Sequence, residues 1–120
     1  MKTFIFNGYL KTDNTNTIKE ILKNIIGNSN LRERYASDLQ KEIKYEDDVK
    51  DIYIYEDFNK GFLCSAELKG TFEETQEFLF DFTNQLKEVN ISHQFEWNEV
   101  DDEENQVGEE YEIVFNVSST

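Results

Sequence analysis

Residues 62–97 read FLCSAELKGTFEETQEFLFDFTNQLKEVNISHQFEW, a strand, a capped helix and a second strand in direct succession. Phe62, Cys64, Ala66 and Leu68 alternate with Leu63, Ser65 and Glu67, the period-2 pattern of a strand that buries one face. Gly70-Thr71 breaks that pattern. Thr71 and Glu74 have the spacing of a capping box, in which each side chain satisfies the other residue's backbone N–H. Glu73, Glu74 and Glu77 place negative charge at the positive end of the helix dipole. Phe72, Thr75, Leu79, Phe82, Leu86 and Val89 form one helical stripe, widened by Phe78, with Phe80 outside it as a second contact. Ile91, His93, Phe95 and Trp97 then alternate with Ser92, Gln94 and Glu96. A strand–helix–strand step within one sheet closes right-handed and lays its helix on one face.

The flanks predict a second such step. Asp51 to Tyr55 reads as a strand with Ile52 and Ile54 on one side and Tyr53 and Tyr55 on the other, joined to Phe62 through a hairpin turn at Asn59-Lys60-Gly61. Thr17 and Glu20 read as another capping box, followed by Ile18, Ile21, Leu22, Ile25 and Ile26 at helical spacing and Gly27 as a left-handed cap. Leu31, Tyr35, Leu39 and Ile43 recur every four residues, which predicts a further helix over 31–43, with Asn30 and Glu33 as its cap pair. Thr3 to Leu10 is β-prone, with Gly8 as a bulge. Downstream, Val100 to Gly108 reads as an acidic hairpin loop, and Tyr111, Ile113, Phe115 and Val117 alternate as a last strand. The expected fold is a single α+β domain over 1–120: a ferredoxin-like βαββαβ sandwich, an antiparallel sheet with helices on one face, with an extra helix after the first and an extra C-terminal strand. Tyr53, Tyr55 and Leu63 are expected on the open face of that sheet.

Charge is distributed unevenly along the chain. Residues 1–44 carry eight Lys/Arg against five Asp/Glu, and residues 45–120 carry four against twenty-one, giving +3 and −17 and summing to −14. Such a field opposes nucleic acid and anionic membranes and favours basic protein surfaces. Low apolar content, 38%, would argue for disorder, but seventeen aromatic residues in periodic positions argue for a folded core. The N-terminal stretch lacks the apolar core of a signal peptide and no run is long enough to span a bilayer, so a cytoplasmic location is expected.

Few residues carry chemistry. His93 is the single histidine and lies on a core-directed strand face, where it reads as structural. Cys64 is the single cysteine. It lies mid-strand in an acidic region that raises a thiol's pKa, so it reads as buried and inert. No metal-ligand set, phosphate loop or catalytic pair emerges, and no cofactor is expected. The acidic string 101–105 has oxygens enough for a divalent cation but not an EF-hand's spacing.

The strongest candidate for function is the run from Glu96 to Glu112, which holds nine carboxylates and no Lys or Arg. The expected partner-binding set is Glu96, Glu99, Asp101, Asp102, Glu103, Glu104, Glu109 and Glu110 from this run, with Asp47, Asp48 and Asp51 beside the second strand. Tyr53, Tyr55 and Trp97 are expected as aromatic anchors. If these acids and those at the start of the last helix (Glu73, Glu74, Glu77 and Asp81) share one face, a partner is favoured. If they ring the molecule, solubility explains them. In composition alone the chain resembles small inhibitor proteins: nucleic-acid mimics that antagonise restriction or CRISPR nucleases, and nuclease immunity proteins. That resemblance implies a non-enzymatic protein occluding a basic, nucleic-acid-handling surface, without binding nucleic acid or membrane itself. The alternative expectation is a ferredoxin-like sensor or adaptor that acts by self-association, as a homodimer, or by ligand binding.

Overall fold

The computed structural model describes residues 2–26, 31–35 by their backbone, 41–57 and 61–117. The elements run β1 (Lys2–Lys11), α1 (Thr15–Ile26), β2 (Leu31–Tyr35), β3 (Lys41–Glu46), β4 (Lys50–Asp57), β5 (Gly61–Gly70), α2 (Phe72–Glu88), β6 (Ser92–Val100) and β7 (Gln106–Phe115). This is a mixed α+β domain with one antiparallel sheet, ordered β2-β3-β4-β5-β1-β6-β7.

Strand alternation builds the core. Phe4, Phe6 and Leu10 of β1, Ile52 and Ile54 of β4, Phe62, Cys64, Ala66 and Leu68 of β5, and Phe95 and Trp97 of β6 all turn to one face and are buried. The apolar stripes of α1 (Ile18, Ile21, Leu22) and α2 (Phe78, Leu79, Phe82, Leu86) cover that face. Phe82 packs on Phe6 and Phe95 at centroid distances of 6.3 and 5.8 Å. The capping box at Thr71 and Glu74 is formed, each side chain accepting from the other's backbone N–H at 3.1 Å. Phe80 lies outside the stripe, 44% exposed.

Several expectations change. Of the helix expected over 31–43, residues 31–35 are β2 and 41–43 begin β3, while 36–40, with Leu39, lie outside the described residues. A repeat of four residues is also a multiple of two, so it fits strand alternation as well as it fits a helix. Tertiary pairing decides the matter: Ile43 and Tyr45 lie opposite Ile54 and Ile52 and are buried with them. Seven strands in this order, with two of them where a second helix was expected, differ from a four-stranded βαββαβ sandwich.

Gly8 is not a bulge, for its pairing with Cys64 and Phe95 is in unbroken register. It is a close approach, where an added Cβ would run into the Phe95 ring and the Gln94 carbonyl oxygen. The irregularity falls instead in the β6–β7 pairing between Trp97 and Glu99, opposite Gly108 at φ 75°. Helix α1 begins before Thr17, and Asn14 caps it by accepting from the Thr17 N–H at 3.2 Å. The expected caps at Gly27 and Asn30 and the turn residues Asn59 and Lys60 lie outside the described residues.

Candidate protein-binding surface

The sheet face away from the helices carries the other half of each alternation. Ile5, Asn7 and Tyr9 of β1, Leu63, Ser65 and Glu67 of β5, and Asp51, Tyr53 and Tyr55 of β4 lie there, none of them buried. Gln94 and Glu96 of β6 and Glu112 of β7 extend it on the far side.

Register sets like charges side by side on this face. Asp51 pairs with Glu46 on one side and with Glu67 on the other, so three carboxylates stand in a row across β3, β4 and β5. Glu96 pairs with Glu112 across β6 and β7, and both are exposed. Directly opposed residues have Cβ atoms about 4.5–5.5 Å apart, and opposed like charges destabilise a sheet. Two unit charges at about 4 Å repel by ~1 kcal/mol even in water.

The hairpin turn bends over the same face. Asp101 organises it: its Oδ1 accepts from the backbone N–H of Glu103 and of Asn105, both at 2.9 Å. The hydrogen bond from Asn105 leads the causes that hold the Asp101 carboxyl below the usual carboxylate range. Glu104, at φ 65°, is carried round so that it lines a cavity of ≈ 440 Å³ with Ile5, Asn7, Asp51, Tyr53 and Glu67. A second cavity of ≈ 440 Å³ adjoins it, lined by Tyr9, Tyr55, Leu63, Gln94 and Glu96 and sharing Asn7 and Ser65. Tyr53 and Tyr55 touch at a centroid distance of 5.0 Å, and the Tyr53 hydroxyl donates to Glu42.

The expected set therefore divides. Glu96, Glu104, Asp51, Tyr53 and Tyr55 come together on the open face. Asp102, Glu103, Glu109 and Glu110 are exposed along the hairpin, and Asp48 is exposed in the β3–β4 turn. Glu99 is half-buried and pairs with Lys2 at 3.6 Å. Asp47 is a turn-former: it accepts from the Val49 and Lys50 N–H groups at 2.8 and 2.7 Å and from the Tyr45 hydroxyl at 2.5 Å. Burial pushes the Asp47 carboxyl up, but these hydrogen bonds and the Lys50 ammonium together outweigh burial and hold it below its ordinary value.

Trp97 is not an anchor. It is 1% exposed, facing the helices among Phe4, Phe72 and Tyr111, because its alternation matches that of Phe95. The α2 carboxylates Glu73, Glu77 and Asp81 lie on the helix side, so the acids do not all share one plane. Residues whose role the sequence did not signal are Asn7, Tyr9, Ser65, Glu67 and Gln94. The signal available was the inward pattern of Phe4 and Phe6, which turns Ile5, Asn7 and Tyr9 outward.

His93 and Cys64 stay in the core, with β1 between their strands. Burial pushes the Cys64 thiol up, so it is not a thiolate at neutral pH. His93 sits between Phe95 and Phe115 at 5.5 and 5.6 Å, and its Nδ1–H donates to the Ile91 carbonyl at 2.9 Å. Burial lowers its pKa from 6.5, and the bond to Ile91 offsets this in part. A histidine depressed in the folded state leaves stability intact above the unfolded pKa of 6.5 and removes it as pH falls below that value. Between pH 7 and 5 the unfolding free energy, and with it the urea midpoint, is therefore expected to fall. The His93→Phe variant should lack that fall. Parallel curves for the two proteins would refute it. Asp47 and Asp101, depressed from 3.8, lose their contribution only at lower pH and do not enter this window.

Among the described residues no three His, Cys, Asp or Glu side chains converge as metal ligands, and no helix is long and apolar enough to cross a membrane. No known protein family, curated protein or solved structure matches this chain.

Proposed function

We propose that this chain is a non-enzymatic acidic binding protein whose open sheet face meets a basic protein surface of the kind that handles nucleic acid. One observation carries the reading: the rows Glu46–Asp51–Glu67 and Glu96–Glu112 set carboxylates in direct cross-strand opposition. An acidic coat made only for solubility gains nothing from that arrangement and loses stability by it. A cationic surface laid over the face removes the repulsion, so the energy withheld from folding returns on binding. Attraction of this kind raises the on-rate and selects partners by sign.

The inner sheet order β4-β5-β1-β6, with α1 and α2 as its crossovers, supports reading that part as a split βαβ of ferredoxin-like type, with β2–β3 and β7 as additions at its edges. The single cysteine fits work in the reducing cytoplasm.

The test is calorimetric binding to a panel of basic DNA-binding proteins between about 0.05 and 0.5 M salt. Affinity should fall about tenfold or more over that range, and duplex DNA should compete for the partner. Removing the helix-side charges Glu73, Glu77 and Asp81 should change affinity by no more than about 2-fold, since their face is not used. Salt-insensitive binding, no binding, or equal sensitivity to the helix-side charges would defeat the proposal.

A further inference from the structure

We infer that the open-face cavity between Tyr9, Tyr55 and Glu96 receives an arginine side chain of the basic partner. This inference rests on the acidic-surface reading and gives it a chemical specificity. Tyr9, Leu63 and Tyr55 stand in one cross-strand row, Tyr9 opposite Leu63 and Leu63 opposite Tyr55, and all three are half-buried. Gly61 gives this row its shape. A Cβ at Gly61 would run into the Tyr9 ring and hydroxyl, so the missing side chain lets that ring lie down across the sheet instead of standing off it. The faces of such a ring carry the negative part of its quadrupole, which attracts a cation.

The row alone is an apolar strip and would suit many occupants. Its rim narrows the choice. Asn7 and Gln94 supply amide groups and Glu96 a carboxylate, with Glu112 directly behind Glu96. The adjoining cavity adds Asp51, Glu67 and Glu104 against Lys44, the only cation among the described residues lining either cavity. Phosphates and carboxylates are repelled, and a second copy of this chain would bring the same sign. A cation with a flat apolar face is what fits. A guanidinium stacks on aromatic rings and is more weakly hydrated than an ammonium, and its fork of donors matches a carboxylate in two parallel hydrogen bonds. Lysine has the charge without the plane. The second cavity, where Asp51, Glu67 and Glu104 outnumber Lys44 and Tyr53 is the one ring, takes the next cationic group of the same segment with less preference for its shape.

The experiment compares hexa-arginine and hexa-lysine peptides, equal in charge, by calorimetry and by amide shift mapping on the full chain. Hexa-arginine should bind about 5-fold or more tightly than hexa-lysine. The shifts it causes should centre on Gly8, Tyr9, Leu63 and Gln94. Tyr55→Leu and Glu96→Gln should each weaken hexa-arginine about 5-fold or more and change hexa-lysine by about 2-fold. Glu77→Gln, on the helix side, should leave both peptides unaffected. Shift mapping uses the unaltered chain, so it decides the matter even where a variant folds poorly. Equal affinity for the two peptides, or shifts spread over α2, overturns the arginine assignment while leaving the acidic-surface reading in place. Failure of both peptides to bind overturns both.

Discussion

Replacing Trp97 with alanine is expected to remove about 3–5 kcal/mol of folding stability. The ring is closed in by three aromatic neighbours: Phe72 stacked at 5.3 Å, Tyr111 at 4.8 Å and Phe4 at 6.0 Å. These neighbours come from the start of α2, from β7 and from β1, so the one side chain ties three elements to β6. Truncation leaves a cavity that rigid strands on either side cannot close, and the cost is the lost transfer energy plus the lost contacts around the void. A typical domain has only about 5–15 kcal/mol in hand. Urea denaturation should therefore show a large drop in midpoint, and any loss of binding should track the unfolded fraction. Trp97→Phe keeps an aromatic ring in the site and should bind a basic partner as the parent does wherever both are folded. A Trp97→Ala protein that is as stable as the parent but no longer binds would mean that Trp97 touches the partner after all.

Trp97 also shows what the sequence makes legible and what it does not. The alternation Ile91, His93, Phe95, Trp97 already placed the ring with core residues, and three of the four could not have been inward without the fourth. The idea of an anchor came from its acidic neighbours, Glu96 and Glu99, and a strand's neighbours point the other way or are paired elsewhere. Helix α2 was readable to its cap because capping chemistry and a wide stripe agreed. The stretch over 31–43 was not, because a spacing of four satisfies two periods and the pairing of Ile43 with Ile54 that settles it is a tertiary fact. The acid rows were out of reach for the same reason. Glu96 and Glu112 are sixteen residues apart with an irregular pairing between them, so their opposition depends on where the shift falls. The sequence reveals how many carboxylates there are; only register reveals which of them face one another.

Register also makes the double variant Asp51→Asn with Glu96→Gln expected to move stability and binding in opposite directions. Asp51 belongs to two like-charge pairs and Glu96 to a third, so two isosteric changes remove all three oppositions. At roughly 0.2–1 kcal/mol per pair, the folded state should gain about 0.6–3 kcal/mol, seen as a raised midpoint in urea at low salt. The gain should shrink as salt is added, because the repulsion it relieves is exposed and screened. Binding to a basic protein should meanwhile weaken about tenfold or more, since Asp51 and Glu96 stand at opposite ends of the two adjoining cavities. The control is Glu77→Gln with Asp81→Asn on α2. These carboxylates are also like charges, four residues apart on a helix, so their removal should stabilise by a few tenths of a kcal/mol. That change should leave binding intact. A sheet-face variant that gained stability and kept its affinity would show repulsion with no functional use, and the acids would then be a solvent coat. One that lost affinity without gaining stability would show a contact surface whose charges are not strained in the free protein, and the energetic link proposed between folding and binding would be gone.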